Sequence, residues 1–347
     1  MSTTLTRNPP HGIPSSRKRA TTRRAAGSLA LSIALFAGLL ACAGARAETF
    51  PSKPITLVIQ YPVGGPSDIL ARLIAAPLQA RLGQPVIVDA RAGAGGTIGT
   101  DHVARAKPDG HSLLLSASGP LAISPWLFKK LPYDPLRDLV PVVQVASVPM
   151  VLLVNAANPA RDAKAFLESL KSNPGKYSYG SSGNGTPQHL AGALLESLAG
   201  VKALHVPYRG QAPMATDLMA GQVDFAIDSM VAALPNLAIG RLRPLAVTGS
   251  QRSALLPEVP TLQEAGVPGY EAYAWYGIMA PAATPQPVLQ TLNRTIREVL
   301  DLPEVRAQIA RTGSIPVHDT PQAFGAFIRS EHAKWGDIVK RTGVMLN

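Results

Sequence analysis

The chain has 347 residues, a formal net charge of +11 and a single cysteine. Seven basic residues and no acidic ones precede Glu48, so the remaining 300 residues carry 26 basic against 22 acidic side chains, a net of +4. A charge that small, with no basic stripe interleaved with aromatics, argues against nucleic acid as a partner, and one cysteine rules out an intrachain disulfide framework.

Arg17, Lys18, Arg19, Arg23 and Arg24 lead into an apolar run from Leu29 to Ala41, followed by Ala45-Arg46-Ala47. This order predicts a signal peptide over residues 1–47 and hence export from the cytoplasm. Thr22-Arg23-Arg24 resembles a twin-arginine signal, but Ala25-Ala26 continues it poorly and ordinary secretory export is the preferred reading. Leu39-Leu40-Ala41-Cys42 offers a lipid attachment point at Cys42, for which Ala45-Arg46-Ala47 is the better-placed competitor. No run of 18 consecutive apolar residues follows, so the rest of the chain is not expected to be membrane-embedded. Its length is enough to bury about three quarters of its unfolded surface without staples.

Ile55 to Ile59 predicts a strand, and Ile69, Leu70, Leu73, Ile74 and Leu78 recur at helical spacing, with Pro77 expected to kink that helix near its end. Between them Pro62-Val-Gly-Gly-Pro-Ser-Asp68 makes a turn that opens onto the helix. Glycines there can expose backbone N–H groups, with Ser67 or Asp68 as a cap, in a place suited to an anion. Val86 to Asp89 predicts a second strand, Gly93 to Gly99 a glycine loop opening a helix through Ala106, and Ser112 to Ser116 a third strand. Alternation of this kind implies parallel pairing with helices on the sheet faces.

Val142 to Val154 reads as two short strands carrying the chain into a second set. There, helices at 163–171, 187–198 and 212–220 alternate with strands at 177–180, 203–206, 223–227 and 244–247. Trp275 to Ala280 is strand-like. The Pro-rich segment 281–287 then gives way to helices at 288–300, 304–311 and 321–339, expected to pack back on the first set. The predicted fold is α/β in two lobes, each a mainly parallel sheet flanked by helices. Residues 48–150 with 281–347 form one lobe and residues 151–280 the other.

Eight motifs occur in order: Pro62-Val-Gly-Gly-Pro-Ser-Asp68, Ala92-Gly-Ala-Gly-Gly96, Leu131-Pro-Tyr-Asp-Pro135, Gly183-Asn-Gly-Thr-Pro-Gln-His189, Val206-Pro-Tyr-Arg-Gly210, Gly221-Gln-Val-Asp224, Leu242-Arg-Pro-Leu-Ala-Val-Thr248 and Pro260-Thr-Leu-Gln-Glu-Ala-Gly266. In these the chain resembles the tripartite tricarboxylate transporter substrate-binding proteins, or Bug receptors, over almost all of its length after the signal segment. The resemblance implies a periplasmic two-lobed receptor with the Venus flytrap fold of periplasmic binding proteins, not an enzyme, that closes over a di- or tricarboxylate, an acidic amino acid or an aromatic acid. Its implied partners are that ligand and a membrane permease or sensor protein; the receptor is expected as a monomer with no cofactor. Tyr61, Val63 and Ile227 depart from the family's usual residues, so the resemblance does not name the cargo.

Carried over by position, the resemblance places the ligand on Val63, Gly64, Gly65, Ser67 and Asp68. Asp68 reads equally well as a residue that shapes the loop, since a carboxylate would repel an anion. The loop with Gly93, Gly95, Gly96 and Thr97 is a second candidate; as a dinucleotide fingerprint it fails, because Ile98 stands in the third glycine's place. Ser116 and Ser118 end a parallel strand, where α/β ligands sit, or else satisfy their own turn. In the second lobe Ser181, Ser182, Gly183, Thr186 and His189 lie on a loop entering a helix, His189 reading also as a packed histidine. Tyr208, Arg209 and Gly210 follow, with Arg209 a candidate bidentate clamp for a distal carboxylate. Asp228, just past a strand, completes the set or caps the next helix. The enzyme alternative is a serine hydrolase built on Ser182 and His189, although Asn184 breaks the nucleophile-elbow spacing.

Overall fold

A computed structural model describes residues 50–344. The expected signal peptide and Cys42 lie outside the described residues. In chain order the elements are β1 (Ile55–Ile59), α1 (Pro66–Leu82), β2 (Val86–Ala90), α2 (Thr97–Ala104), β3 (Ser112–Ala117), a π turn at Gly119–Ile123 running into α3 (Ser124–Leu127), and β4 (Leu139–Asn155). Then come α4 (Ala163–Ser172), β5 (Ser178–Ser181), α5 (Pro187–Ala199), β6 (Leu204–Pro207), α6 (Gln211–Ala220), β7 (Phe225–Ser229), α7 (Met230–Ala238) and β8 (Leu242–Val247). The chain closes with β9 (Tyr273–Pro281), α8 (Gln286–Leu300), α9 (Pro303–Arg311), β10 (Ile315–Pro316) and α10 (Pro321–Thr342). None of the described helices is long and apolar enough to cross a membrane.

The strands run in the order β2-β1-β3-β9-β4-β7-β5-β6, with β10 and β8 also paired to β4. Pairing is parallel where helices cross over, in β2-β1-β3 and β6-β5-β7, and antiparallel where β9 and β4 run through the middle. The sheet is therefore mixed: the outer strands are parallel as expected and the central ones are not. Where two short strands were expected, β4 is one strand of 17 residues. Its first part, to Pro149, pairs with β9, and from Met150 it pairs with β7 and β8. Register shifts near Pro141 and Gln144 bend it, as expected where proline interrupts the ladder. The strand β9, placed by sequence at the end of the second lobe, pairs with β3 and so belongs to the first part of the sheet.

Helix α1 buries Leu70, Ile74 and Leu78, one face at i, i+4 and i+8. Pro77 lies inside it; the helix runs on to Leu82 and stops at Gly83, whose left-handed conformation returns its N–H to the Gln79 carbonyl at 3.0 Å. Helix α8 buries Leu289, Leu292, Ile296, Val299 and Leu300 in the same core. The last helix, α10, packs on β4 and also on α5, so it reaches both parts of the sheet rather than the first alone. Buried Glu331 ties it to β9 by accepting the indole N–H of Trp275 at 3.1 Å, and also accepts that of Trp335, one turn on in the same helix, at 3.0 Å.

Candidate functional site

The turn that follows β1 faces, across a cleft, the turn that follows β6 and the N-terminal end of α5; these two are joined through the Gly210 N–H, which donates to the Ser182 carbonyl at 3.2 Å. A cavity of about 260 Å³ lies there, lined by the turn Tyr61–Pro66, by Ser182, Gln188, Arg209 and Gln211, and by apolar residues of α6 and α7. A second cavity of about 670 Å³ adjoins it, lined by Ala92–Gly96, Phe128, Ser182–Asn184 and Pro207–Gly210. Tyr61, Pro62, Ser182, Arg209 and Gly210 border both. The walls approach closely: a Cβ added to Gly95, whose φ is +65°, would lie 2.5 Å from the Asn184 carbonyl oxygen. Only glycine lets those two loops meet at that distance.

The electrostatics of the smaller cavity come from its helix ends. Gly65 and Pro66 begin α1, Pro187 and Gln188 begin α5, Gln211 to Pro213 begin α6, and Val231 and Ala232 begin α7. Each N-terminus carries unpaired N–H groups and about half a positive charge, so four of them around one cavity favour an anion inside it. Arg209 adds a full cation at the border of the two cavities, and it has no carboxylate partner among the described residues. Side-chain acceptors are fewer; the amide oxygen of Gln211 is one, 3.6 Å from where a Gly65 Cβ would sit.

The glycine turn is wired differently from the expected cradle. Gly64 donates its N–H to Asp68 Oδ2 at 3.0 Å, and Gly65 donates to the Pro62 carbonyl at 3.4 Å. Both groups are thus spent within the turn, and the donors left by helix geometry are those of Ser67 and Asp68 at the start of α1. Gly65 is the N-cap residue; Asp68 shapes the loop, with its other oxygen accepting from Arg72 at 2.8 Å. Val63 is 65% exposed at the cavity lip. The Ser67 hydroxyl is buried and caps nothing.

Of the other expected positions, Gly64, Gly65, Ser182, Arg209 and Gly210 line the smaller cavity, and Gly95, Gly96, Gly183 and Tyr208 line the larger. Ser116, Ser118, Thr186, His189 and Asp228 line neither. Ser116 and Ser118 are buried, the former donating to the Ala117 carbonyl. Thr186 caps α5, accepting from the His189 N–H at 3.4 Å and donating to the Gly183 carbonyl at 2.7 Å. His189 stacks on His205 with centroids 3.9 Å apart, and its Nδ1 accepts from the Gly185 N–H at 3.3 Å. Burial pushes His189 down to about 4 and His205 to about 3. The Tyr208 hydroxyl donates to Asp217 at 2.8 Å. Ser182 donates its hydroxyl to Gln188 Oε1 at 3.1 Å, not to His189, so no hydrolytic Ser182–His189 pair forms.

Asp228 stands directly behind the cavity. Its Oδ1 accepts from the Ser229 N–H at 2.7 Å, from Gln211 Nε2 at 2.7 Å and from Gln188 Nε2 at 3.5 Å. Burial raises its carboxyl to about 6 against the pull of these hydrogen bonds. Sequence reasoning missed Gln188 and Gln211. The available signal was their position in the first turn of a helix that follows a glycine loop, where a polar side chain meets the same space as the helix N–H groups.

An α/β fold whose two sheet regions meet over a cavity ringed with helix N-termini defines a solute-binding protein of the periplasmic type. Residues 70–344 match the tripartite tricarboxylate transporter family receptor, TctC, and the chain belongs to that family, whose members are receptors and not enzymes. The protein BugT of Bordetella pertussis is 40% identical over 301 residues, covering 86% of this chain and 92% of BugT. Among solved structures, R. palustris Rpa4515 with adipate aligns with a TM-score of 0.82 at 35% identity, covering 85% of this chain and 98% of that one. MatC (Rpa3494) from Rhodopseudomonas palustris, with bound malate, aligns with a TM-score of 0.79 at 34% identity, covering 84% and 100%.

Proposed function

We propose that this protein is a periplasmic receptor that captures a small carboxylate, dicarboxylates foremost, between two lobes and presents the closed form to a tripartite tricarboxylate-type permease. The convergence of four helix N-termini on one cavity, with Arg209 at its border, carries this reading. A first carboxylate sits against the helix ends and a second reaches Arg209, which suits a planar guanidinium. A cavity somewhat below the roughly 300–1,000 Å³ of drug-sized ligand sites fits an acid of few carbons, in keeping with the malate and adipate held by the two relatives.

The lobes we assign are residues 50–149 with 273–344, and residues 150–272, since β9 pairs in the first part of the sheet. The chain passes between them at Pro149–Met150 and at Ala272–Tyr273, and these passages are the pivot about which the lobes open and close. A thermal-shift screen of the purified protein against mono-, di- and tricarboxylates, acidic amino acids and aromatic acids tests the assignment. An acid at 100 times its Kd adds about 2.7 kcal/mol and raises Tm by several degrees. No shift with any acid would refute it.

A further inference from the structure

We propose that the cavity selects acids bearing a hydrogen-bond donor, a hydroxyl or ammonium group, by presenting the amide oxygen of Gln211 to it, and that Asp228 is the positioning residue that aims this oxygen. The inference rests on the carboxylate-receptor reading and narrows its substrate class.

A carboxylate accepts hydrogen bonds and donates none. Asp228 is 1% exposed, and its Oδ1 collects N–H groups from both glutamines that line the cavity, so each amide turns its nitrogen inward and its oxygen away. For Gln188 that oxygen already has a donor, the Ser182 hydroxyl. Gln211 differs. One N–H goes to Asp228 at 2.7 Å and the other to Ser229 Oγ at 2.9 Å, which exhausts the amide's donors. Its Oε1 is left facing the glycine turn, with no hydrogen-bond donor reaching it among the described residues.

The surrounding groups offer mainly donors: the helix N–H groups and the Arg209 guanidinium. An unsubstituted acid satisfies those and leaves Gln211 Oε1 stripped of water and unpaired, a loss that a hydroxyl or ammonium on the ligand removes. Were the amide free to turn over, it would offer N–H like its neighbours and the discrimination would vanish. Asp228 and Ser229 together forbid that turn.

The test is calorimetric titration of the whole protein and two variants with matched pairs of probes: succinate against malate, and propionate against lactate. In the wild type, the hydroxy acid of a pair that binds is expected to bind at least tenfold tighter than its plain counterpart. In Gln211→Met the ratio falls to within about threefold, because the acceptor is gone. Asp228→Asn narrows it too, since an asparagine amide can donate and lets the Gln211 amide turn. A general loss of structure lowers both affinities without collapsing their ratio, and Gln211→Met decides the matter should Asp228→Asn fold poorly. Equal affinities in the wild type, or a ratio retained in Gln211→Met, overturn this inference while leaving the receptor intact. No binding of any acid overturns the receptor reading and this one with it.

Discussion

Thr248 and Met150 are tied together where the chain passes between the two parts of the sheet: the Met150 N–H donates to Thr248 Oγ1 at 2.9 Å, the Thr248 N–H returns to the Met150 carbonyl at 2.9 Å, and the Thr248 hydroxyl lies 3.1 Å from that carbonyl. The same hydroxyl donates to the Ala272 carbonyl at 2.6 Å, so one buried side chain ties both passages together. Thr248→Val keeps the shape and removes the hydroxyl, leaving the Met150 N–H buried without a partner. The expected cost is about 1–3 kcal/mol, read as a lower urea midpoint. An unchanged midpoint would mean that this joint does not hold the passages together.

Asp68 is expected to act on the fold of the turn before it acts on any ligand. Asp68→Ala strips the partner from the Gly64 N–H and removes an acid from the first turn of α1, together worth about 1–3 kcal/mol of stability. Gly64→Ala probes the same turn from its backbone. Its φ of +85° disfavours any L side chain by about 1–2 kcal/mol, although the added Cβ meets nothing within 4 Å. Denaturant titration of both variants checks the pair, and full stability in Gly64→Ala would show that the turn relaxes to another conformation.

The alternation of strand and helix was legible because each apolar run ends at glycine or proline and each helix carries a spaced apolar face, as in Ile69 to Leu78. The turn before α1 was legible for the same reason. What escaped depends on tertiary partners. Continuity of β4 through Pro141 and Pro149 follows from its being held by β9 on one stretch and by β7 and β8 on the next, which no local pattern encodes. Helix α7, with Pro235 inside it, gave no periodic signal; its visible mark is Ser229, which caps it by accepting from the Ala232 N–H. Gln188 and Gln211 read as ordinary surface amides until Asp228 is placed between them. His189 and Thr186 looked like ligand contacts because a loop entering a helix is a good place for one; in the fold His189 Nδ1 and the Thr186 hydroxyl bond to the loop itself.

Arg209 is predicted to read a second charge. Its exposed guanidinium borders both cavities, so Arg209→Ala is expected to weaken dicarboxylates by tenfold or more, roughly the 1.5–3 kcal/mol of one charge-assisted hydrogen bond. Monocarboxylates held by the helix ends alone should change by less than about threefold on the same grounds. Titration with succinate and propionate measures both, and equal losses would show that Arg209 acts on the cavity as a whole.

The acid limb of stability should carry a mark of Asp228. Its carboxyl lies at about 6 in the folded protein, against roughly 3.9 in an unfolded chain. Between those values the folded state keeps a proton that the unfolded state has released, so this group makes stability fall as pH rises, by about 1.4 kcal/mol per unit. His189 and His205 work the other way. With folded values near 4 and 3, they stay neutral where the unfolded chain binds protons, and their contribution is lost as pH drops below about 6.5. Asp228→Asn removes only the first effect. Its stability should therefore rise with pH more steeply than that of the wild type between pH 4 and 6, by about 1.4 kcal/mol per unit, and run parallel above pH 6. Urea denaturation at half-unit steps of pH measures the difference; parallel curves from 4 to 6 would mean that the Asp228 carboxyl ionises in the fold as it does in the open chain, the hydrogen bonds from Gln188, Gln211 and the Ser229 N–H offsetting the cost of its burial.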